Sequence, residues 1–461
     1  MNNICLLSDS YKVTHWNQYP EGTEYVYSYY ECRKGAKFPE SVFFGLQALL
    51  KKNFVGQVLT QEMIDEAEEL MGHHFGNKEY FNRDGWEYIL KEHGGKLPIE
   101  IKAVPEGTVV PVDNVLMTVC NTDPKCYWLT NFCETILCHV WYPMTVCTLS
   151  REAKKSISKS LDISSDNTSG LNFMLHDFGF RGVSSIESAG YGGAAHLVNF
   201  LGTDTLEAIQ FAMKYYYADP KSTAYSVPAT EHSIQTSLGR DGESDIVNDL
   251  LEKYPSGILS VVSDSYDIYS FVENIVGYTH RKRILSRDGV FVVRPDSVTG
   301  LHPTPESEMC WILGSLWKNF GGTTNSKGYK VLDKHVRVLW GDGIDLDGIN
   351  KILISVIDAG FSTENIATFG MGGGLLQKIN RDTQRCAFKS SAQRRNGQWF
   401  DISKEPLDST KTSKSGKLKL IDGYKTVSET CAGEDLLQTV FRNGELLRVQ
   451  NFEDIRGRAE L

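Results

Sequence analysis

Between His176 and Gly182 the chain sets a histidine, an aspartate, two phenylalanines, two glycines and an arginine in consecutive positions, at the end of the apolar run NFMLHDFG. A chain reversal needs only the glycines and the acid. The rings and the arginine ask for a planar ligand with polar substituents. Further along, WGDGID places Asp342 between Gly341 and Gly343, where a carboxylate reaches sugar hydroxyls, although the same tripeptide in isolation is an Asp-Gly turn. FGMGGGLLQK closes an apolar run with Gly372, Gly373 and Gly374 and then opens a helix, the outline of a phosphate cradle, with a flexible turn as the bland alternative. It fits neither GxGxxG at its required spacing nor GxxxxGK[ST].

The other polar clusters extend that pattern. VVRPDS supplies Arg294 and Asp296, and VVSDSYD supplies Ser263, Asp264 and Asp267. Such acids can hold Mg²⁺ through water, and each by itself is also an ordinary helix cap. SVPATEHS carries Glu231 and His232, the latter either a structural histidine or, at a site mouth, a nucleophile or proton shuttle. Arg381 and Lys389 in RDTQRCAFK, with Lys404, Lys411 and Lys414 beyond, are surface cations unless a ligand carries more phosphate than one glycine turn neutralises. Together these residues describe a phosphorylated ribose with additional phosphate, beside a flat ring.

Elements of a particular kind must carry them. From about residue 170 to 385 a short apolar run, a polar tip and a helical pattern recur: NFMLHDFG, HLVNFLGTD, TAYSVPATEH, LSVVSDSYD, VFVVRPDS, VRVLWGDGID and NIATFGMGGG. TLEAIQFAMKYYY, IYSFVENIVG and LDGINKILISVIDAG have helical apolar spacing. The pattern predicts a parallel sheet with helices over it, either a (β/α) barrel or a doubly wound sheet. The barrel is favoured, because nearly every run ends in polar residues rather than those near one switch point. The flanks mix strands (EYVYSYYECR, PIEIKAVPEGTVVPVDNVLMTVCN) with helices (TQEMIDEAEELMGHHF, YWLTNFCETILCHVWY), which predicts one α+β domain from 1–150 plus 390–461 around a barrel at 151–389. DSTKTSKSGK, 408–417, has the composition of a mobile loop.

Composition excludes several classes. Hydrophobic content of 41 % is spread without an apolar window long enough to span a membrane. The 48 basic residues are outnumbered by 58 acidic ones without a basic stripe, which argues against a nucleic-acid partner. The N-terminal residues lack a secretory pattern, and the ten cysteines contain no CxxC pair, so a cytoplasmic protein with buried thiols is expected.

The blocks SDSYKVTHWNQYP, YSYYECR, NTDPKCYWLTNFCETIL, HDFGFRGVSS, GTDT, YSVPATEHS, VSDSYDIY, RPDS, NSKGYK, GDGID, GGGLLQK and RDTQRCAFK resemble, in order and over almost the whole chain, the nicotinamide phosphoribosyltransferase family. The resemblance implies the type II phosphoribosyltransferase fold, an irregular α/β barrel beside an α+β domain formed from both chain ends, in a homodimer with active sites at the interface. It implies transfer of phosphoribosyl from 5-phosphoribosyl-1-pyrophosphate to nicotinamide with Mg²⁺, coupled to ATP through phosphorylation of His232. By the same resemblance nicotinamide stacks between Phe178 and the partner's Tyr11, with Arg181, Asp204, Ser226 and Ser263 around it. Arg294, Asp296, Gly341, Asp342, Gly372 and Gly373 serve the sugar and its phosphate, with Asp264 and Asp267 near the substrates. Arg33, Arg381, Lys389, Lys404 and Lys411 face pyrophosphate or ATP. Two departures stand out: the glycine of the family's RPDSG is delayed to Gly300, and Met371 stands where the family has Ser.

Overall fold

The computed structural model describes residues 2–405, 407 and 412–461. They divide into two compact units, Met1–Thr148 with Met213–Ala218 and Ile379–Glu460, and Leu149–Ala212 with Asp219–Lys378. The first is built on a seven-stranded antiparallel sheet in the order Gln398–Asp401, Cys386–Arg395, Thr23–Cys32, Val115–Asn121, Ile99–Ala103, Gln438–Arg442, Glu445–Leu446. Strands from both chain ends thus alternate in one sheet, and the strand Cys386–Arg395 lies wholly in this unit. The helix Gln61–Phe75 shows why its sequence reads as it does. Thr60 accepts the Met63 amide as N-cap, Ile64, Ala67 and Met71 form the buried stripe, and Gly76 ends it at φ 72°.

The second unit holds a parallel sheet whose strands are numbered here within that sheet: β1 Leu175–Asp177, β2 Gly202–Thr203, β3 Ser256–Val262, β4 Asp288–Arg294, β5 Val336–Trp340 and β6 Ile366–Met371. Their order is β2-β1-β6-β5-β4-β3. Between the two edge strands runs an extended segment: Tyr225 bridges Gly202 of β2, and Ala229 bridges Ser260 of β3, both parallel. The sheet therefore curls back on itself, and all strand ends that carry polar residues open on one side, as the barrel reading expects. Phe291, Val293, Val338, Trp340 and Phe369 are wholly buried, consistent with strands covered on both faces.

Some expectations change. The first half of HLVNFLGTD is not strand: His196 and Leu197 finish the helix Ile186–Leu197, whose cap is Ser185, and pairing begins only at Gly202. TAYSVPATEH makes isolated bridges rather than a strand, since Pro228 has no amide to donate and only its carbonyl is used, by Ser260. YWLTNFCETILCHVWY breaks into the short helices Leu129–Phe132 and Glu134–Cys138 before the long helix Trp141–Ser164. The helix after the glycine run is a single turn, Gly373–Leu376. No helix among the described residues is long and apolar enough to cross a membrane.

Candidate active site

Strand alternation sends His176 and Phe178 to one face of β1 and Asp177 to the other. Phe178 continues the pairing, its amide donating to the Met371 carbonyl at 3.1 Å. Its ring lies against β6 so closely that a Cβ on Gly370 would come within 2.0 Å of it. Glycine is therefore required at 370 if the ring is to lie flat there. The Arg294 guanidinium sits 5.2 Å from the same ring centre, and His176 meets the ring edge-on at 5.4 Å. On the opposite face Asp177 is fully buried. Burial pushes its carboxyl up to about 6, opposed by the Gly179 amide that donates to Oδ1 at 2.7 Å.

Phe178, Arg181 and Asp204 share a cavity of about 690 Å³ with Arg294 and Asp296 from the end of β4 and with Gly341, Gly372 and Gly373 beyond β5 and β6. Eight residues singled out from sequence thus meet in one place. Thr205 and Lys378 also line it and were not singled out. Lys378 had a readable signal, a cation following directly on GGGLLQ. The glycine run divides its duties. Gly372 and Gly373 face the cavity, whereas a Cβ on Gly374 would strike the Ile344 carbonyl at 2.4 Å, so the third glycine lets two loops pack. The first amide bonded within the turn is that of Leu375, which leaves the glycine backbone ahead of it bare of side chain for an approaching anion.

Asp204, just past β2, takes two donors on one oxygen: His176 Nε2 at 3.1 Å and Ser226 Oγ at 2.7 Å both reach Oδ1. Partial burial pushes this carboxyl up, but the His176 contact, with Ser226 and the Arg294 charge, outweighs burial and holds it below its ordinary value. It is an ionised acceptor at the cavity wall. His232, half exposed, places Nε2 3.1 Å from Asp264 and Nδ1 4.0 Å from Asp296. Asp264 is nearly buried and also accepts from Ser297, so it orients the imidazole from behind. The exposed Asp342 carboxyl is pushed up by partial burial and then by Asp296 and Asp264. Acids that repel one another in this way offer the hard oxygens that suit Mg²⁺. Among the described residues one other group of metal-type ligands exists, His93, Asp123 and Cys126 in the first unit. Hydrogen bonds already occupy it, since His93 Nε2 and the Tyr88 hydroxyl both bond Asp123 Oδ2.

Two sequence assignments do not survive. Ser263 is wholly buried between β3 and β4: its hydroxyl donates to the Val261 carbonyl at 2.7 Å and accepts the Arg294 amide at 3.2 Å. It spaces two strands and does not line the cavity. Asp267 is a helix cap, accepting the Tyr269 and Ser270 amides at 3.0 and 3.1 Å.

The remaining predicted residues belong to the first unit. Tyr11 is 59 % exposed, in contact with His15 at 5.2 Å and Lys12 at 5.4 Å. Lys389 lies among cations: burial and the charges of Arg33 and Lys404 lower its ammonium, with Glu134 opposing. Arg33 keeps a loose contact to Glu31 at 3.9 Å, and Arg381 is exposed. Lys411 lies outside the described residues, while Lys414 pairs with Glu31 and Asp113.

Residues 173–445, more than half of the chain, match the model of the nicotinate phosphoribosyltransferase (NAPRTase) family. The chain belongs to this family. Residues 3–101 match the nicotinamide phosphoribosyltransferase N-terminal domain. A nicotinamide phosphoribosyltransferase of Xanthomonas campestris pv. campestris is 45 % identical over 100 % of this chain and 98 % of its own. One from Acinetobacter baylyi is 32 % identical over 98 % of this chain and 95 % of its own. Among solved structures, a nicotinate-nucleotide pyrophosphorylase of Pyrococcus furiosus matches with TM-score 0.58 at 14 % identity, over 99 % of this chain and 95 % of that one. Human nicotinic acid phosphoribosyltransferase matches with TM-score 0.57 at 14 % identity, over 98 % and 93 %. These structures show the type II phosphoribosyltransferase fold. The phosphoribosyltransferase described here handles its two departures by packing. Met371 is fully buried, with its sulfur beneath Gly374. In the longer turn Thr299 bonds the Tyr269 hydroxyl and donates to Glu308 at 2.9 Å.

Proposed function

We propose that this phosphoribosyltransferase transfers phosphoribosyl from 5-phosphoribosyl-1-pyrophosphate to nicotinamide, giving nicotinamide mononucleotide and pyrophosphate in NAD salvage. The observation that carries the reading is the ionised Asp204 carboxylate at the wall of the cavity that also holds the Phe178 ring. An ionised acceptor takes a hydrogen bond from a carboxamide N–H₂ but repels a ring carboxylate. The relatives named nicotinamide phosphoribosyltransferase support the same choice.

The chemistry asks little of proton transfer. The pyridine nitrogen has a free lone pair, so attack on the anomeric carbon needs no general base. What the enzyme supplies is an aligned ring, held by Phe178 and Asp204, and charge placed where pyrophosphate departs. Arg294 and the bare backbone at Gly372 and Gly373 serve the sugar-phosphate, and the acids Asp296 and Asp342 serve ribose hydroxyls. Mg²⁺ would be held near Asp296 and Asp342 and would neutralise the leaving group. His232, backed by Asp264, is the candidate for phosphorylation by ATP, and the Arg33, Arg381, Lys389, Lys404 and Lys411 set serves pyrophosphate or ATP. The active form is a cytoplasmic homodimer in which the partner's Tyr11 covers the pyridine.

Pyrophosphate release tests the reading, with the protein, phosphoribosyl pyrophosphate, Mg²⁺ and nicotinamide, nicotinic acid or quinolinic acid in turn. Release with nicotinamide at a kcat/KM about a hundredfold above the acids is expected. Equal rates on nicotinamide and nicotinic acid would sink the assignment. In the same assay His232→Ala is expected to lose the ATP-driven gain in product while keeping basal transfer.

A further inference from the structure

His176 has no role in what precedes except as a neighbour, yet it is only 9 % exposed and its sole hydrogen bond points at the cavity's acid. Its place is built by both flanking strands. In the parallel register His176 stands opposite Gly202 of β2 and Gly370 of β6. A Cβ on Gly202 would sit 2.5 Å from His176 Nδ1, just as one on Gly370 would strike the Phe178 ring. The two rings therefore lie over two glycines on the same face of the sheet, and the imidazole has little freedom to turn away from Asp204.

The carboxylate shows the result. His176 Nε2 and Ser226 Oγ converge on Oδ1, and the Asp204 amide is itself fixed by the Asp177 carbonyl at 3.0 Å. With Oδ1 doubly engaged, Oδ2 is the oxygen left to accept from a ligand. An Asp on a loop tip would otherwise rotate and present either oxygen, or neither, to an N–H donor. Resting on the nicotinamide reading above, we propose that His176 is a positioning and specificity-determining residue: with Ser226 it clamps one oxygen of Asp204 so that the other is aimed at the carboxamide N–H₂ of the pyridine. Arg294 and Arg181 share the cavity with Asp204, and the buried Asp177 lies behind it, so these with His176 are the charged and titratable groups that face the clamp.

The test uses the full-length enzyme with His176→Ala, His176→Gln, whose amide nitrogen reaches about as far as Nε2, and Ser226→Ala, an exposed site where folding is safe. Steady-state kinetics with nicotinamide and with nicotinic acid are run across pH 5 to 8. His176→Ala is expected to raise the nicotinamide KM roughly tenfold with a smaller change in kcat, and to lower the nicotinamide-to-nicotinic-acid ratio of kcat/KM by about the same factor. His176→Gln should recover most of that ratio, and Ser226→Ala should lower it in the same direction. The acid limb of the nicotinamide profile should move to higher pH in His176→Ala, because Asp204 loses the contact that favours its ionised form. An unchanged ratio in both His176→Ala and Ser226→Ala, or an equal loss on both pyridines with an unmoved acid limb, overturns the clamp. Failure of the nicotinamide reading looks different: the unmodified enzyme itself then shows no preference for the amide.

Discussion

Two buried carboxylate environments in this molecule are built on opposite plans. In the first unit Glu106 receives the amides of Gly45 and Gln47 at 2.7 and 2.6 Å and the Tyr216 hydroxyl at 2.9 Å, with Arg458 nearby. Gly45 stands at φ 109° before the helix Leu46–Asn53 and has no side chain to cap it, so Glu106 caps that helix from a distant part of the chain. Every donor is used. At the barrel mouth Asp204 has donors on one oxygen only, Asp342 has acids for neighbours, and Asp177 has an Oδ2 with no hydrogen-bond partner. Closed networks hold a fold, whereas open ones are left with capacity for a ligand.

Breaking the closed network should have the largest effect. Glu106→Ala leaves two helix amides and a tyrosine hydroxyl buried without an acceptor, and is expected to cost about 4 kcal/mol of stability. Thermal melting reads it, and a variant melting within 2 °C of the unmodified protein would mean the network is dispensable. Next comes Asp177. Its carboxyl is raised from 3.8 to about 6, so the folded state holds the proton more tightly than the unfolded chain does. Stability is then greatest below the lower value and falls as pH rises through that window, by on the order of 3 kcal/mol. Asp177→Asn should flatten the pH dependence of melting between pH 4 and 6, and parallel curves for the two proteins would refute it.

Gly370→Ala sharpens the comparison from the side of the open site. The added methyl displaces the Phe178 ring, and kcat/KM should fall about a hundredfold. A loss of less than threefold would remove that ring from the site. The smallest effect is expected at Arg83, whose guanidinium bonds Asp65, Glu68 and Glu87 at 2.7 to 2.8 Å on the surface. Arg83→Met should change stability by less than about 1 kcal/mol, because solvent screens such clusters. A larger drop that persists in high salt would contradict this.

What the sequence displays and what it hides follow from the same physics. Polar tips after apolar runs are local features, so the cavity residues Phe178, Asp204, Arg294, Asp296 and Gly341 could be named without coordinates. A capping role depends on the residues that follow, and a hydroxyl's partner depends on the strand beside it. That is why Asp267 and Ser263 read as ligand groups in the sequence and proved to be a cap and a strand spacer. Small apolar residues fit helix and strand alike, so GGAAHL lent its end to a predicted strand and folded as helix. The clamp on Asp204 was invisible because it joins residues from three separate segments, His176, Asp204 and Ser226.

The interleaved sheet of the first unit has a consequence for how the chain is made. Thr23–Cys32 needs Cys386–Arg395 on one side, and Cys32 and Cys386 face each other across 354 intervening positions. At synthesis rates of about 5–20 residues per second, the early strand waits roughly 20–70 s on the ribosome before its neighbour exists. All of β1 to β6 is made in that interval, so the barrel's own strand partners are complete first. The strand edge that waits is rich in tyrosine, YVYSYY, the kind of exposed edge that pairs with other nascent chains. Yield of this protein should therefore be limited by the final stretch of translation, and slowing elongation late in the message should cost more soluble product than slowing it early.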